Sequence, residues 1–228
     1  KAKLLTRPAR AVKDRAPDQT PTRFGEAITA DHMVMGPGDR GKNGERTALV
    51  VLDRGTRWLS VYPLADKSAD EAYTSLRHFV GPKGSAESFY SDDSPELIRA
   101  VKDLGWAHTT STPGRPTSNR VAERAVRTTL EGARSALLQA GLHECGLPYA
   151  VQHFAFARNV TGGARGSPWS SRFEGEPFRG PLVPFGSAID FKPSPIRGAQ
   201  PKFAPRAVAG IFLGYVEHPG GQWRGEYT

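Results

Sequence analysis

The sequence predicts an α/β fold, a mixed sheet with flanking helices, followed by a small β region. Three observations predict it. Three strand-like runs follow one another between residues 27 and 64; helix and strand then alternate up to a long amphipathic helix; and a stretch rich in Gly, Pro, Ser and Arg from Thr161 to Pro181 precedes two further strand-like runs.

Residues 1–23 mix Lys and Arg with three prolines and no sustained period, and read as a basic linker or arm. Strands are expected at Ala27 to Met35, Thr47 to Leu52 and Trp58 to Leu64. The glycine-rich GPGDRGKNGER and the Asp53-Arg54-Gly55-Thr56 turn join them into an antiparallel meander. Ser68-Ala69-Asp70-Glu71 has the form of a capping box and opens a helix to about Val80, with Ala72, Leu76 and Phe79 on its apolar stripe. A short strand from Ser88 leads to Asp92. Pro95 then starts a helix that Gly105 ends, and Trp106 to Ser111 is the next strand. After the loop 112–118, a helix from Asn119 to about Ala140 shows an apolar face of Val121, Ala125, Val126, Leu130, Ala133 and Leu137. A helix from Pro148 to Asn159 closes a first domain over residues 24–162. Residues 163–182 read as a linker, and 183–228 as a small β domain with strands at Val183 to Phe191 and Val208 to Tyr215.

Charge points to an anionic partner. The chain of 228 residues carries a formal +8. Residues 1–23 hold seven Lys/Arg against two Asp, residues 24–162 sixteen of each sign, and residues 163–228 eight against five. The positive excess therefore lies in the flanks, which suits a site that keeps its own carboxylates while its surroundings hold nucleic-acid phosphates. No apolar run approaches the roughly 18 needed to cross a bilayer, so no membrane role is expected. A single cysteine, Cys145, excludes a disulfide framework and a thiolate zinc site built from this chain alone.

Three strands, helix, strand, helix, strand, helix is the order of an RNase H-like fold, and three acids fall on three of its elements: Asp31 in mid-strand, Asp92 at a strand end and Glu123 one turn into the long helix. Acids that converge can hold hard divalent cations such as Mg²⁺ or Mn²⁺, and a pair of these activates the attacking oxygen and stabilises the leaving one in phosphodiester transfer. Each acid also has an ordinary reading. Asp31 can be a solvated strand-edge residue, Asp92 a helix cap, and Glu123 half of an i,i+4 pair with Arg127. Asp53 reads as a turn former. Trp58, Trp106 and Phe79 read as core.

On these residues the sequence resembles the integrase core of copia-type retrotransposons, encoded within Gag-Pol-type polyproteins. The resemblance is carried by Thr29-Ala30-Asp31-His32-Met33, by Val51 to Trp58, by Tyr90-Ser91-Asp92-Asp93-Ser94-Pro95-Glu96-Leu97, and by Pro113 through Asn119-Arg120-Val121-Ala122-Glu123-Arg124. Downstream, Pro184-Phe185-Gly186 and Ala209 to Tyr215 look like the SH3-like domain that follows the core. It departs from the family pattern at Asp93-Ser94, where Asn-Gly is usual, at Arg120, where Gly is usual, and in an interval of 31 positions from Asp92 to Glu123. The family's His/Cys zinc domain is not in this sequence, so a piece of a longer polyprotein is expected.

The resemblance implies a DDE-type polynucleotidyl transferase that processes 3′ ends of element cDNA and joins them to target DNA. It further implies Asp31, Asp92 and Glu123 as ligands of two Mg²⁺ (or Mn²⁺) ions and a multimeric working form in the nucleus, reached via a cytoplasmic particle. Arg115, Asn119, Arg120, Arg124 and Arg127 are the expected DNA contacts. The competing expectations are a domesticated relic that only binds nucleic acid, a nuclease that cuts without joining, and a polyprotein spacer without DNA affinity.

Overall fold

The computed structural model describes residues 20–36, 40–110, 120–163, 166–192 and 207–228. Strands β1 (Ile28–Val34), β2 (Thr47–Asp53) and β3 (Leu59–Leu64) form the antiparallel meander. Helix α1 (Ala69–Val80) begins where the Ser68 side chain accepts the Glu71 N–H, the cap its sequence forecasts. Then come β4 (Phe89–Ser91), α2 (Pro95–Leu104), β5 (His108–Thr110), α3 (Arg120–Ala140) and α4 (Leu147–Val160). The sheet runs β3-β2-β1-β4-β5, with β4 and β5 parallel to β1. β1 is thus the central strand.

Alternation along the strands assigns each face. Ile28, Ala30, Leu49 and Val51 point to α1 and α2, where Leu76, Phe79, Leu97 and Val101 complete one core. Met33, Ala48, Val50 and Val61 point the other way, to Ala133 and Leu137 of α3 and Ala150 and Val151 of α4. Trp58, Phe79 and Trp106 are buried, as expected. Asp53 is fully buried and ties the turn together: its carboxylate accepts the N–H groups of Gly25 (2.9 Å) and Thr56 (2.7 Å) and the Thr56 hydroxyl (2.7 Å). The expected turn-forming role is what it performs.

Within the stretch read as a linker, Pro168–Arg172 forms a short helix, α5, capped by Ser167. The C-terminal region contributes two antiparallel pairs, β6 (Ala188–Phe191) with β7 (Val208–Ile211) and β8 (Tyr215–His218) with β9 (Gln222–Tyr227). They are not held off from the first domain. Phe156 of α4 stacks on Tyr215 with ring centroids 4.1 Å apart, and Phe212 joins them in a third apolar cluster. Gly220, in the β8–β9 turn, donates its N–H to the His78 carbonyl (2.8 Å) and accepts from Arg172 Nε (2.9 Å). A Cβ on Gly81 would crowd the Gly220 backbone, so glycine at position 81 suits the close approach of these two segments. The Arg172 guanidinium lies over the Phe24 ring at 3.4 Å. Among the described residues no helix is long and apolar enough to cross a membrane.

Glu217 of β8 accepts the Ser60 hydroxyl (3.3 Å) against β3. Burial pushes its carboxyl up to about 7, against the pull of Arg172 and that hydrogen bond. Burial likewise lowers Arg172 to about 10. A carboxyl with a raised folded-state pKa binds protons that the unfolded chain releases, so its contribution to stability falls as pH climbs from about 4.5 to about 7. Thermal unfolding of Glu217→Gln beside the wild type should show the variant gaining ground over that window, by ~2 °C or more at its upper end; an offset that does not change with pH would contradict the assignment.

Candidate active site

The two parallel strands place the first two acids. β1 pairs with β4 through Ile28 with Phe89 and Thr29 with Tyr90, and continuing that register sets Asp31 level with Asp92. β4 ends at Ser91, so the edge of β1 beside Asp31 loses its strand partner where Asp92 begins. This is the C-terminal end of parallel strands, where open α/β sheets leave a crevice for ligands. Asp31 lies on the sheet face that carries α3, since its cross-strand partner Val50 and the next residue but one, Met33, share that face. Glu123 is in the first turn of α3 and exposed.

Asp31 is half-buried, and its carboxyl accepts the His32 N–H at 2.8 Å. Burial is the largest influence on it, and the negative charge of Asp92 is next. Glu123 adds to these, while the His32 hydrogen bond and Lys67 oppose, and the carboxyl is pushed up to about 6. Asp92 accepts the Ser94 hydroxyl at 2.8 Å, and the Ser91 hydroxyl donates to the Asp92 carbonyl at 2.8 Å. Ser94 therefore braces Asp92; as N-cap of α2 it makes no side-chain cap bond.

The acids reach one another electrostatically, but they are not gathered. Among the described residues no three His, Cys, Asp or Glu side chains stand close enough to hold a metal ion together. The convergence expected of Asp31, Asp92 and Glu123 is therefore incomplete as positioned. The chemistry of the donors nonetheless fits Mg²⁺ or Mn²⁺: they are hard carboxylate oxygens, and the charge crowding that raises Asp31 is the kind a divalent cation neutralises.

Arg120, Arg124 and Arg127 are exposed on α3, and among the described residues none of them has a carboxylate partner. The alternative reading of Glu123, an ion pair with Arg127, is accordingly not formed. Arg115 and Asn119 lie outside the described residues. At about 100° per residue, Arg120 and Arg127 fall on the flank of α3 that bears Glu123. Arg124 turns farther from the core.

Sequence reasoning passed over His32. Its ring is buried on the opposite face of β1, with Nδ1 3.7 Å from Glu96 Oε1 and Nε2 without a hydrogen-bond partner. Burial lowers its pKa, against the pull of Glu96 and Asp92. Its place directly after Asp31 was the available signal. His143, the neighbour of Cys145, accepts the Cys145 N–H through Nδ1 at 3.2 Å and serves as a local cap.

A carboxyl raised to about 6 costs the metal-free fold stability that grows as pH rises from about 4 to about 6 and then stays constant. In EDTA near neutral pH, Asp31→Asn should unfold at a higher temperature than the wild type, and the gain should vanish near pH 4. A lower unfolding temperature at neutral pH would show that the Asp31 charge is compensated in the fold.

No family model matches the chain, and no curated protein matches it. Solved structures do. A catalytic core domain of HTLV-2 integrase, in complex with magnesium and in trimeric form, superposes with TM-score 0.51 at 14% identity, over 67% of this chain and 99% of that one. A chain of a simian T-cell lymphotropic virus intasome, bound to a PP2A regulatory subunit, gives 0.52 at 18%, over 89% and 72%. The catalytic core domain of BIV integrase gives 0.49 at 17%, over 66% and 95%. The fold is the RNase H-like α/β fold of retroviral integrase catalytic cores, with small β strands appended.

Proposed function

We propose that this protein is an integrase of the retrotransposon kind, a polynucleotidyl transferase that trims the 3′ ends of element cDNA and joins them to target DNA. The observation that carries the reading is the placement of Asp31 in the central strand, level with Asp92 at the end of the parallel strand, with the charge of Glu123 reaching it from α3. An integrase-core fold puts that placement in a context where such chemistry is known, and the similar HTLV-2 core is a magnesium complex.

In this reading Asp31, Asp92 and Glu123 hold divalent metal, Mg²⁺ or Mn²⁺ and two ions in all. The metal supplies Lewis-acid stabilisation of the attacking and leaving oxygens of the phosphodiester. The chain's own groups do the positioning. Asp31, with its carboxyl at about 6, is ionised in most molecules at neutral pH and so presents a ligand oxygen. Ser94 fixes the direction of the Asp92 carboxylate. Arg120 and Arg127, with Arg115 and Asn119 earlier in the sequence, would offer donors to the phosphates on either side of the scissile bond. Water is the nucleophile in end processing and the freed 3′-hydroxyl in joining. The working form is a multimer on DNA in the nucleus, and residues 183–228 serve as the SH3-like module of the family. The trimeric and intasome forms of the similar structures support multimerisation.

A second reading, an impaired or domesticated relic that retains nucleic-acid binding, is favoured by one observation: the three acids do not form a metal-binding group as positioned. A strand-transfer assay with processed and unprocessed cDNA ends in Mg²⁺ and Mn²⁺ separates the two. The integrase reading requires joined products, and Asp92→Asn should lower their rate by about a hundredfold or more while duplex binding and unfolding temperature stay near wild type. Binding without products favours the relic, hydrolysis without joining a nuclease, and wild-type turnover by Asp92→Asn removes that residue from the site.

A further inference from the structure

Helix α3 has two flanks beside its buried stripe of Ala122, Thr129 and Ala133. One bears Glu123. On the other, Arg124 and Thr128 face the ends of β2 and β3 and the last turns of α4, and enclose a cavity of about 140 Å³ floored by Leu52 and Leu59. That is several times the space of one water. At about 100° per residue, Thr128 stands about 140° around the helix from Glu123, so the cavity and the three acids open on different sides of α3.

Arg158 of α4 closes the cavity. It is half-buried, and its Nη1 donates to the Arg57 carbonyl at 2.9 Å. Among the described residues its other guanidinium donors have no protein acceptor, and they are not sealed away from solvent. Burial lowers its pKa and the neighbouring Arg57 cation lowers it further, so a second positive charge stands nearby. No carboxylate pairs with Arg57, Arg124 or Arg158 among the described residues.

The backbone spends free energy to hold this arrangement. Arg57 has φ of 64°, a left-handed conformation that is strained for a residue with a Cβ. The buried Asp53 carboxylate fixes the turn that imposes it, which aims the Arg57 carbonyl at Arg158. A half-buried guanidinium, held by a strained turn, beside two further cations and over an apolar floor, is short of an anion with several acceptor oxygens. The low-polarity floor strengthens the attraction such an anion would feel.

We propose that this flank of α3 is a second phosphate site, in which Arg124, Thr128 and Arg158 take a backbone phosphate of a nucleic-acid duplex away from the acid-bearing flank. The proposal rests on the nucleic-acid function proposed above and adds a contact on the far side of the helix that carries Glu123. It follows that α3 lies between two stretches of bound nucleic acid, with one phosphate track beside the acids and the other in this pocket.

The test is duplex-DNA binding as a function of salt for the wild type, Arg124→Gln, Arg158→Gln and Arg158→Lys. Arg124 is exposed, so its variant keeps the proposal testable if loss of Arg158 unsettles the Arg57 turn. The expected result is a several-fold loss of affinity at moderate salt for each Gln variant, with the slope of log K against log salt smaller by about 1 and partial recovery in Arg158→Lys. Inorganic phosphate is the second probe, followed through the side-chain NMR signals of Arg124 and Arg158. Shifts with duplex DNA that phosphate alone does not reproduce at the same phosphate concentration support the nucleic-acid source. Shifts with phosphate and none with DNA overturn it in favour of a small anion. Wild-type affinity and slope in both Gln variants overturn the pocket while leaving the proposed function standing. A wild-type protein that binds no duplex removes that function, and this inference with it.

Discussion

A carboxylate set half-buried in the central strand of a sheet needs compensation, and the fold provides Asp31 with little. It receives one backbone hydrogen bond from its own neighbour and a distant lysine, while two further acids raise its cost of ionisation. Burial of an ionised group without a matched partner is among the more expensive things a fold can do. Asp31 sits at the centre of β1, so the arrangement of β4 and α3 around it is what decides whether that cost has a purpose. Parallel pairing of β1 and β4 brings Asp92 level with it, and packing of α3 on the β1–β2 face brings Glu123 within electrostatic reach. The acids are crowded in charge and open in geometry, which is a state a divalent cation would close.

The C-terminal strands bear on the same core from its other edge. β8 and the turn after it lie against β3 and α1, where Glu217 meets Ser60 and Gly220 meets His78, while Arg172 from α5 stacks on Phe24. Tyr215 and Phe212 complete a third apolar cluster with Phe156 of α4. The described residues from 24 to 160 and the last strands are thereby packed together along this edge. The acid-bearing edge, where β4 ends beside the middle of β1, is built from the other elements.

Much of this was legible in the residues. The meander and the helices α1 to α4 follow from strong periods and from caps such as Ser68 and Gly105, whose roles depend on local chemistry alone. Asp31 stood out because an acid in mid-strand is rare without a reason. Other features were hidden because tertiary packing makes them. α5 has five residues and no period to read. Glu217 resembles any acid on a surface strand until β3 covers its carboxyl, and Arg158 resembles a cation at a helix C-terminus until the Arg57 turn meets it. The meeting of Asp31, Asp92 and Glu123 is only half legible: two parallel strands fix the first pair, whereas Glu123 follows residues 111–119, which lie outside the described residues.

The integrase reading stands on Asp31, Asp92 and Glu123 sharing divalent metal. The most direct measurement is anomalous scattering from crystals grown with Mn²⁺, which locates the metal without relying on turnover. Manganese is expected between Asp31 and Asp92, with the Glu123 carboxylate drawn in to complete the ligand set. Manganese bound elsewhere, or none beside Asp31 at a concentration that saturates the protein, would contradict it.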